Sequence, residues 1–218
     1  CLGYLDGRLV CRTCVFEKRV DVYEGVPWER RAELGMWTAM WRTVSDVTTK
    51  PKKLFQALDP KGGVGEPLRF LVAALMPACA VWGLLLGGIM GFALFSSEGG
   101  LTGVGGAIAV AVAVPIFLPL FFVFSTVLMG VLNHLVLLLV GGGRNGLNAT
   151  LRANLYGAGV AFWIVVPCVY YVVGYWQMAM SIIGYAEVHK EPHWKGIVAV
   201  LSPICICGGS YLALIAVM

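Results

Sequence analysis

Three cysteines within the first fourteen residues, spaced C-x9-C-x2-C, are the first residues whose types and spacing suggest chemistry. Cys11 and Cys14 form a C-x2-C pair, the knuckle that structural zinc sites use, and Cys1 would belong to a second knuckle. A lipid-anchored terminus and a disulfide are the alternatives, and the choice depends on which side of a membrane this end occupies. A tetrahedral site needs four ligands. We therefore expect the fourth zinc ligand upstream of Cys1.

His134 and its neighbour Asn133 lie inside a long apolar run. An ionisable side chain within a membrane segment is a functional candidate, as a cofactor ligand, a proton carrier or a hydrogen-bonding group. The apolar runs of the sequence contain no second His, Asp or Glu that could complete a proton relay. The sequence therefore favours a hydrogen-bonding role for His134.

A second polar cluster lies in the predicted loop EVHKEPH, and its members are Glu187, His189 and His193. Metal ligation is one interpretation. Pro192 interrupts helical spacing, however, and a catalytic zinc site needs rigidly held ligands. The sequence favours helix capping and interfacial snorkelling for these side chains. It also contains no Ser-His-Asp order and no haem attachment motif, so we expect a protein without enzymatic activity.

The composition places these groups in a membrane protein. Hydrophobic residues make up 59% of the 218 residues, charged residues 13%, and the mean hydropathy is +0.81. Soluble domains carry about 25% charged residues. Eleven of the 16 Lys and Arg and nine of the 12 Asp and Glu lie in the first sixty-six residues. We expect a zinc-ribbon-like segment at 1–27, an interfacial helix with a basic linker at 28–66, and a membrane domain at 67–218.

Four charge-free runs mark the membrane domain, at 70–97, 107–140, 153–186 and 196–218. The second and third runs would each reach about 51 Å as one helix, whereas the hydrocarbon core of a bilayer is about 30 Å thick. Cytoplasmic loops carry an excess of Lys and Arg. The basic segments are the N-terminal region, Arg144 to Arg152 and Lys190 to Lys195. All three lie on the same side of the membrane if the run 107–140 crosses it once and the run 153–186 crosses it twice.

This arrangement predicts an all-α integral membrane protein with five transmembrane helices, its N-terminus cytoplasmic and its C-terminus outside. The hairpin turn of the run 153–186 is expected near Pro167. The glycine-rich stretch GGLTGVGG at 99–106 is expected to be a loop. Gly83, Gly87 and Gly91 recur at i, i+4 and i+8, which lets another helix approach closely, either within the bundle or in a dimer seam.

An amphipathic helix is predicted before the first span. Met36, Ala39, Met40, Thr43, Val44 and Val47 fall on one face, with Trp37 and Trp41 beside them. Tryptophans with nearby bases are typical of a helix lying in the interface of an anionic leaflet, and a partner-binding helix is the alternative. Lys50, Lys52 and Lys53 follow and would be attracted to the lipid surface.

Several segments in order resemble the membrane domain of the Yip family, the Rab/Ypt-interacting membrane proteins. They are TTKPKKLFQALDPKGGVGEPLRFLVAAL, HLVLLLVGGG, NATLRANLYGAG and SIIGYAEVHKEPHWKGIVAVLSP, and together they cover about residues 49 to 218. The resemblance implies a five-span bundle with a cytoplasmic N-terminus. It also implies a role as a membrane adaptor, as in the eukaryotic members of the family. Bacterial members of the family often carry a Cys-rich ribbon at the N-terminus.

The sequence thus predicts a non-enzymatic scaffold or accessory subunit in a bacterial-type inner membrane. Its expected partners are membrane lipids and other subunits of a membrane complex or further copies of the chain, with no nucleic acid. Its expected cofactor is a structural zinc ion. The alternative function is a small-molecule or ion transporter, for which the available polar groups are Ser125, Thr126, Asn133, His134, Gln177 and Ser181.

Overall fold

The structure is a computed structural model that describes residues 2–5, 8–11, 25–94, 100–203 and 205. One short hairpin stands at its start. The strands β1 (Leu2–Leu5) and β2 (Arg8–Cys11) pair antiparallel, with Leu2 opposite Cys11 and Leu5 opposite Arg8. From residue 25 onward the described chain is helical, as the sequence predicts.

Eight α-helices follow the hairpin in the described part of the chain. They are α1 (Arg31–Leu34), α2 (Met36–Thr49), α3 (Pro51–Gln56), α4 (Gly65–Leu94), α5 (Gly100–Leu139), α6 (Gly146–Gly157), α7 (Tyr170–His189) and α8 (193–203). Three 3₁₀ segments, at Pro27–Arg30, Ala158–Val165 and Pro167–Val169, complete the helical part.

The predicted amphipathic helix is present as α2, but its apolar face contacts protein. Ala39, Met40, Thr43, Val44 and Val47 are buried against the helical bundle. Trp37 is 67% exposed, and the half-exposed Trp41 ring packs on Phe162 and Trp163 with ring centroids 5.6 and 6.0 Å away. The tryptophan edge of α2 is therefore the part that is free to meet a leaflet or a partner.

The glycine stripe of α4 serves packing inside the chain. A Cβ at Gly83 would lie 2.8 Å from the Pro115 ring, and one at Gly87 would lie 2.8 Å from the Ala107 carbonyl oxygen. A Cβ at Gly91 would also meet Ala107, at 2.7 Å. The stripe thus lets α4 and α5 pack as a close antiparallel pair, and the alternative of a dimer seam loses its structural support.

The helix α5 runs unbroken from Gly100 to Leu139. The prediction of a loop at 99–106 is therefore wrong for the described residues from Gly100 onward. In an apolar environment a helix satisfies every backbone group internally, whereas a glycine loop would leave donors and acceptors unpaired. The single helix agrees with the expectation that the second apolar run crosses once.

The helix α6 is the centre of the bundle, with Ala149 to Gly157 all buried. Its extension Ala158–Val165 ends at a reversal over Val166–Val169, where the sequence predicts a turn, and α7 returns antiparallel. Small residues allow this burial: a Cβ at Gly159 would lie 2.6 Å from the Phe70 ring. Arg152 is also on α6, so the polar stretch from Arg144 to Arg152 is a turn only as far as Asn145.

Two of the described helices, Gly65–Ala93 and Val104–Leu139, are long and apolar enough to cross a membrane. Their outer surfaces carry exposed large apolar side chains, among them Leu84, Ile89, Phe92, Phe117 and Phe121. Apolar patches of this extent mark a membrane or protein interaction surface. The structure thus supports membrane association, while the number of crossings stays a prediction.

We predict opposite responses to alanine at two adjacent glycines of α4. Gly87→Ala should destabilise the protein by about 1–3 kcal/mol, because its methyl group would meet the backbone of α5. Gly88→Ala should leave stability unchanged or raise it by about 0.5 kcal/mol, since a Cβ there meets nothing within 4 Å. Chemical unfolding of both variants in mild detergent would measure their stabilities. Equal unfolding midpoints for the two variants would contradict the packing role of the glycine stripe.

Candidate functional sites

Arg152 is a charged side chain buried on the central helix α6, with only 3% of the side chain exposed. Its Nη2 donates to Glu29 Oε1 at 2.5 Å, and its Nη1 donates to the carbonyl oxygen of Gly63 at 2.5 Å. The hydroxyl of Tyr156, one helical turn later, donates to the same Glu29 oxygen at 2.9 Å. One carboxylate from the N-terminal segment thus receives two donors from α6.

Two further ion pairs join the N-terminal segment to other helices. Arg31 of α1 binds Glu66 at the start of α4 through both carboxylate oxygens. Lys52 of α3 lies 3.6 Å from Glu187 near the end of α7. The segment 26–58 is therefore fixed to α4, α6 and α7. We call this segment with its three attachments the N-terminal platform.

A chain of hydrogen bonds connects two histidines through a buried threonine. Thr150 Oγ1 of α6 lies 2.8 Å from His134 Nδ1 of α5 and 2.8 Å from His189 Nε2 of α7. All three side chains are buried, and the two imidazole centroids are 6.3 Å apart. Three helices are thus joined at one point, which we call the His–Thr–His chain.

The backbone decides the direction of the hydrogen bond between His189 and Thr150. The N–H of Asn145, just before α6, donates to His189 Nδ1 at 3.2 Å, so the neutral ring carries its proton on Nε2 and donates it to Thr150 Oγ1. The Thr150 hydroxyl has two acceptors within reach, His134 Nδ1 at 2.8 Å and the carbonyl oxygen of Gly146 at 3.5 Å. His189 lies beyond the apolar run 153–186, and burial lowers its pKa to about 4, while nearby Glu191 acts to raise it and His134 to lower it further. His189 is therefore neutral at pH 7 and positions helices by hydrogen bonding.

A second buried network lies further along α5 and α7. Asn133 Nδ2 donates to the Tyr185 hydroxyl at 2.9 Å, and that hydroxyl donates to Asn154 Oδ1 at 3.0 Å. Asn154 Nδ2 donates to the carbonyl oxygen of Thr126 at 2.7 Å. Asn133 Oδ1 is buried and makes no hydrogen bond to any residue that the structure describes.

This network borders a cavity of about 280 Å³ between α5, α6, α7 and α8. Its polar lining residues are Ser125, Thr126, Asn133, Asn154, Gln177 and Ser181. Five of these are the polar groups that the sequence offers for a membrane cavity. His134, the sixth candidate, does not line the cavity and lies instead in the His–Thr–His chain.

The predicted zinc ligands fall largely beyond the described residues. Cys1 and Cys14 lie outside them, and Cys11 is the last residue of β2. Within the ranges that the structure describes, no group of three or more His, Cys, Asp or Glu is placed to hold a metal ion. The zinc site therefore stays a prediction.

The predicted loop cluster does not exist as one site. Glu187 and His189 belong to the last turn of α7, which ends only where Lys190 adopts a left-handed conformation with φ 55°. Glu187 accepts a hydrogen bond from Gln56 at 2.9 Å, His189 faces Thr150, and His193 begins α8. The three side chains thus have separate surroundings.

Several residues of these sites carry no sequence signal of their role. They are Glu29, Thr150, Asn154, Tyr156 and Tyr185. Thr150 and Asn154 are polar residues one helical turn apart on α6, and this spacing is the pattern that the sequence offers. Their partners lie 16 to 127 residues away in the chain, which local spacing cannot reveal.

No family model matches the sequence, and neither the curated proteins nor the solved structures contain a significant match.

We predict that Arg152→Met destabilises the protein by about 2 kcal/mol, because the Gly63 carbonyl oxygen and the Glu29 carboxylate, which is 31% exposed, would each lose a hydrogen bond from the guanidinium. Arg42→Met is the matched control, since that side chain is exposed and should change stability by no more than about 0.5 kcal/mol. Chemical unfolding in mild detergent would measure both variants. Similar losses in the two would rule out a special role for the buried pair.

We predict that Thr150→Val, which keeps the shape of the side chain, destabilises the protein by about 2 kcal/mol. Both histidine nitrogens would lose their buried hydrogen-bond partner. Thr49→Val is the control, because Thr49 is exposed and bonds only locally to the Ser45 carbonyl oxygen, at 2.7 Å. A Thr150→Val protein as stable as Thr49→Val would show that the His–Thr–His chain contributes nothing to the fold.

Proposed function

We propose that the chain is a non-enzymatic integral membrane scaffold or accessory subunit, held by five spanning helices. Its N-terminus would lie on the cytoplasmic side and its C-terminus outside, in an inner membrane of bacterial type. The position of the basic segments supports this topology. Lys52 lies 3.6 Å from Glu187, and Arg144 lies 3.7 Å from Glu191, so the three basic segments meet at one end of the bundle. Clustered bases are typical of the cytoplasmic side.

The observation that carries the proposal is the attachment of the N-terminal platform. An amphipathic helix that lay free in the membrane interface could not hold a bound partner in a fixed position. This segment, in contrast, is bound to α4, α6 and α7 by ion pairs. In this proposal the partner binds the zinc-ribbon-like segment at 1–24, which we call the head, and the platform that follows it in the chain is fixed relative to the membrane helices. Trp37 and Trp41 on the platform remain exposed for lipid or a partner, and Lys50 and Lys53 are exposed toward an anionic lipid surface.

A zinc-binding head and membership in the Yip family belong to the same proposal. The hairpin register supports the head, because pairing of Leu2 with Cys11 brings the two chain segments at the open end of the hairpin together. Zinc would be held there by Cys1, Cys11 and Cys14 together with a fourth ligand, and would stabilise the head. The Yip proposal is supported by the order of the four resembling segments and by the helical bundle.

Purification from membranes crosslinked in living cells tests the scaffold function. The full chain should retain a defined partner, identified by mass spectrometry and recovered in the reciprocal purification. Removal of residues 1–24 should abolish that recovery, whereas Lys50→Gln with Lys53→Gln should preserve it, because these lysines face lipid in the proposal. A full chain that always purifies alone, or a partner retained without the head, would refute it.

A transporter is the second candidate, and the polar cavity favours it. Five of the six polar groups that the sequence offers for a transporter line the cavity between the helices. Liposomes containing the chain should then release small polar solutes faster than liposomes containing Gly174→Leu, which would fill the cavity. Equal release from both would reject transport through this cavity.

A further inference from the structure

Two polar side chains in the wall of the cavity have no hydrogen-bond partner among the described residues. They are Ser125 on α5 and Gln177 on α7, and both are half-buried. Their polar atoms keep accessible surface, whereas the unpaired Oδ1 of Asn133 is enclosed by protein. The hydroxyl of Ser125 and the side-chain amide of Gln177 are therefore the groups that a ligand in the cavity can reach.

The remaining polar groups of the wall are held by hydrogen bonds within the protein. Thr126 donates its hydroxyl to the carbonyl oxygen of Phe122 at 2.8 Å, and Asn154 Nδ2 donates to the carbonyl oxygen of Thr126 at 2.7 Å. Ser181 donates to the Gln177 carbonyl oxygen at 3.0 Å or to Asn154 Oδ1 at 3.1 Å. Most of the wall is thus already fixed before a ligand binds.

The two free groups define which polar atoms a ligand has to present. A serine hydroxyl and a glutamine amide can each donate and accept, and so can a hydroxyl group of a ligand. Because Ser125 and Gln177 belong to different helices, a ligand that pairs with both needs at least two such groups. The described residues that line the cavity include no ionisable side chain, so a charged ligand would be buried without a counter-charge.

The size of the cavity and its apolar wall restrict the ligand further. A volume of about 280 Å³ holds about nine groups the size of a water molecule. Phe122, Met129, Met178 and Val200 supply the apolar part of the wall and can contact carbon-bound hydrogens. A mostly apolar wall with a few polar groups is typical of sites for small molecules. A short carbon chain that carries several hydroxyl groups meets both requirements.

We propose that this cavity binds a glyceryl group, an uncharged polyol whose hydroxyls pair with Ser125 and Gln177. The group can be free glycerol or the head of a monoacylglycerol, whose acyl chain would continue past the exposed Phe124 and Leu128 into the bilayer. The proposal rests on the transporter candidate only for the use of this cavity as a binding site, and it is independent of the scaffold function.

Photolabelling of the full chain in liposomes tests the site. The probe is pentane-1,2-diol with a diazirine at its alkyl end, and pentan-1-ol with the same diazirine lacks one hydroxyl. Labelling of the cavity peptides 122–133 and 174–181 is divided by that of 104–118, where Ile108 and Ile116 are exposed, so that partition of the probes into lipid cancels. The diol should give a ratio about fivefold higher than the alcohol, as expected for one hydrogen bond.

Competition by unlabelled compounds identifies the source of the glyceryl group. Displacement of the diol by glycerol in the aqueous phase indicates a free polyol, and displacement by monooleoylglycerol in the membrane indicates a lipid head. Either result supports the proposal. Methyl oleate has the same acyl chain without a free hydroxyl and should not compete. Competition by neither glycerol nor monooleoylglycerol would overturn the proposal.

Two matched pairs of variants locate the binding. Ser125→Ala should lower the cavity ratio of the diol about fivefold, whereas Ser45→Ala, at a half-buried serine of α2, should leave it unchanged. Gly174 lines the cavity and a Cβ there meets nothing within 4 Å, so Gly174→Leu should fill the space and lower the ratio about tenfold. Gly88→Leu adds the same side chain on α4, where a Cβ also meets nothing, and should leave the ratio unchanged.

The comparison of the two probes uses the unaltered chain and stands even if a variant fails to fold. Equal ratios for the diol and the alcohol would overturn the proposal, as would an undiminished ratio in a folded Gly174→Leu protein. Release of solutes from liposomes is a separate result, because labelling measures the binding of a polyol and not flux. Labelling without release would refute the transporter candidate alone, and release without labelling would refute the glyceryl site alone.

Discussion

The ion pair between Arg152 and Glu29 is the interaction on which the arrangement of the molecule depends. A guanidinium buried on the central helix is unfavourable unless a carboxylate reaches it, because removing a charge from water costs several kcal/mol. The only way for Glu29 to reach α6 is for the segment that carries it to pack on the bundle. The pair therefore requires the N-terminal platform, together with the close passage of Gly62, where a Cβ would lie 2.7 Å from the guanidinium carbon.

The helix α6 combines small residues with polar ones, and the two properties depend on each other. Small residues bring its neighbours close, so Thr150 and Asn154 lie within hydrogen-bonding distance of α5 and α7. Polar groups buried in this way are favourable only when each has a partner, which makes the arrangement specific. Arg152 Nε on α6 and Asn133 Oδ1 on α5 are exceptions, because both atoms are buried without a hydrogen-bond partner among the described residues.

The sequence predicts the parts of the fold that depend on periodicity and composition. The amphipathic helix α2, the part of α5 from residue 107 onward and the reversal near Pro167 follow from apolar spacing, charge position and proline, whereas the sequence predicts a loop at the helical start of α5. The candidate sites could not be found in this way. Arg152 looks like a base in a loop until its partner, 123 residues earlier in the chain, is known, and His134 looks isolated because His189 lies outside the apolar runs. Pairings of this kind depend on how helices pack, which local pattern does not encode.

Hydrogen–deuterium exchange of the full chain in lipid bilayers measures most directly whether the N-terminal platform is part of the bundle. The buried face of α2 and its ion-paired neighbours predict that the amides of 36–49 exchange as slowly as those of the central helix at 146–157. Exchange of 36–49 at the rate of a helix lying free in the interface, with 146–157 still protected, would contradict this account.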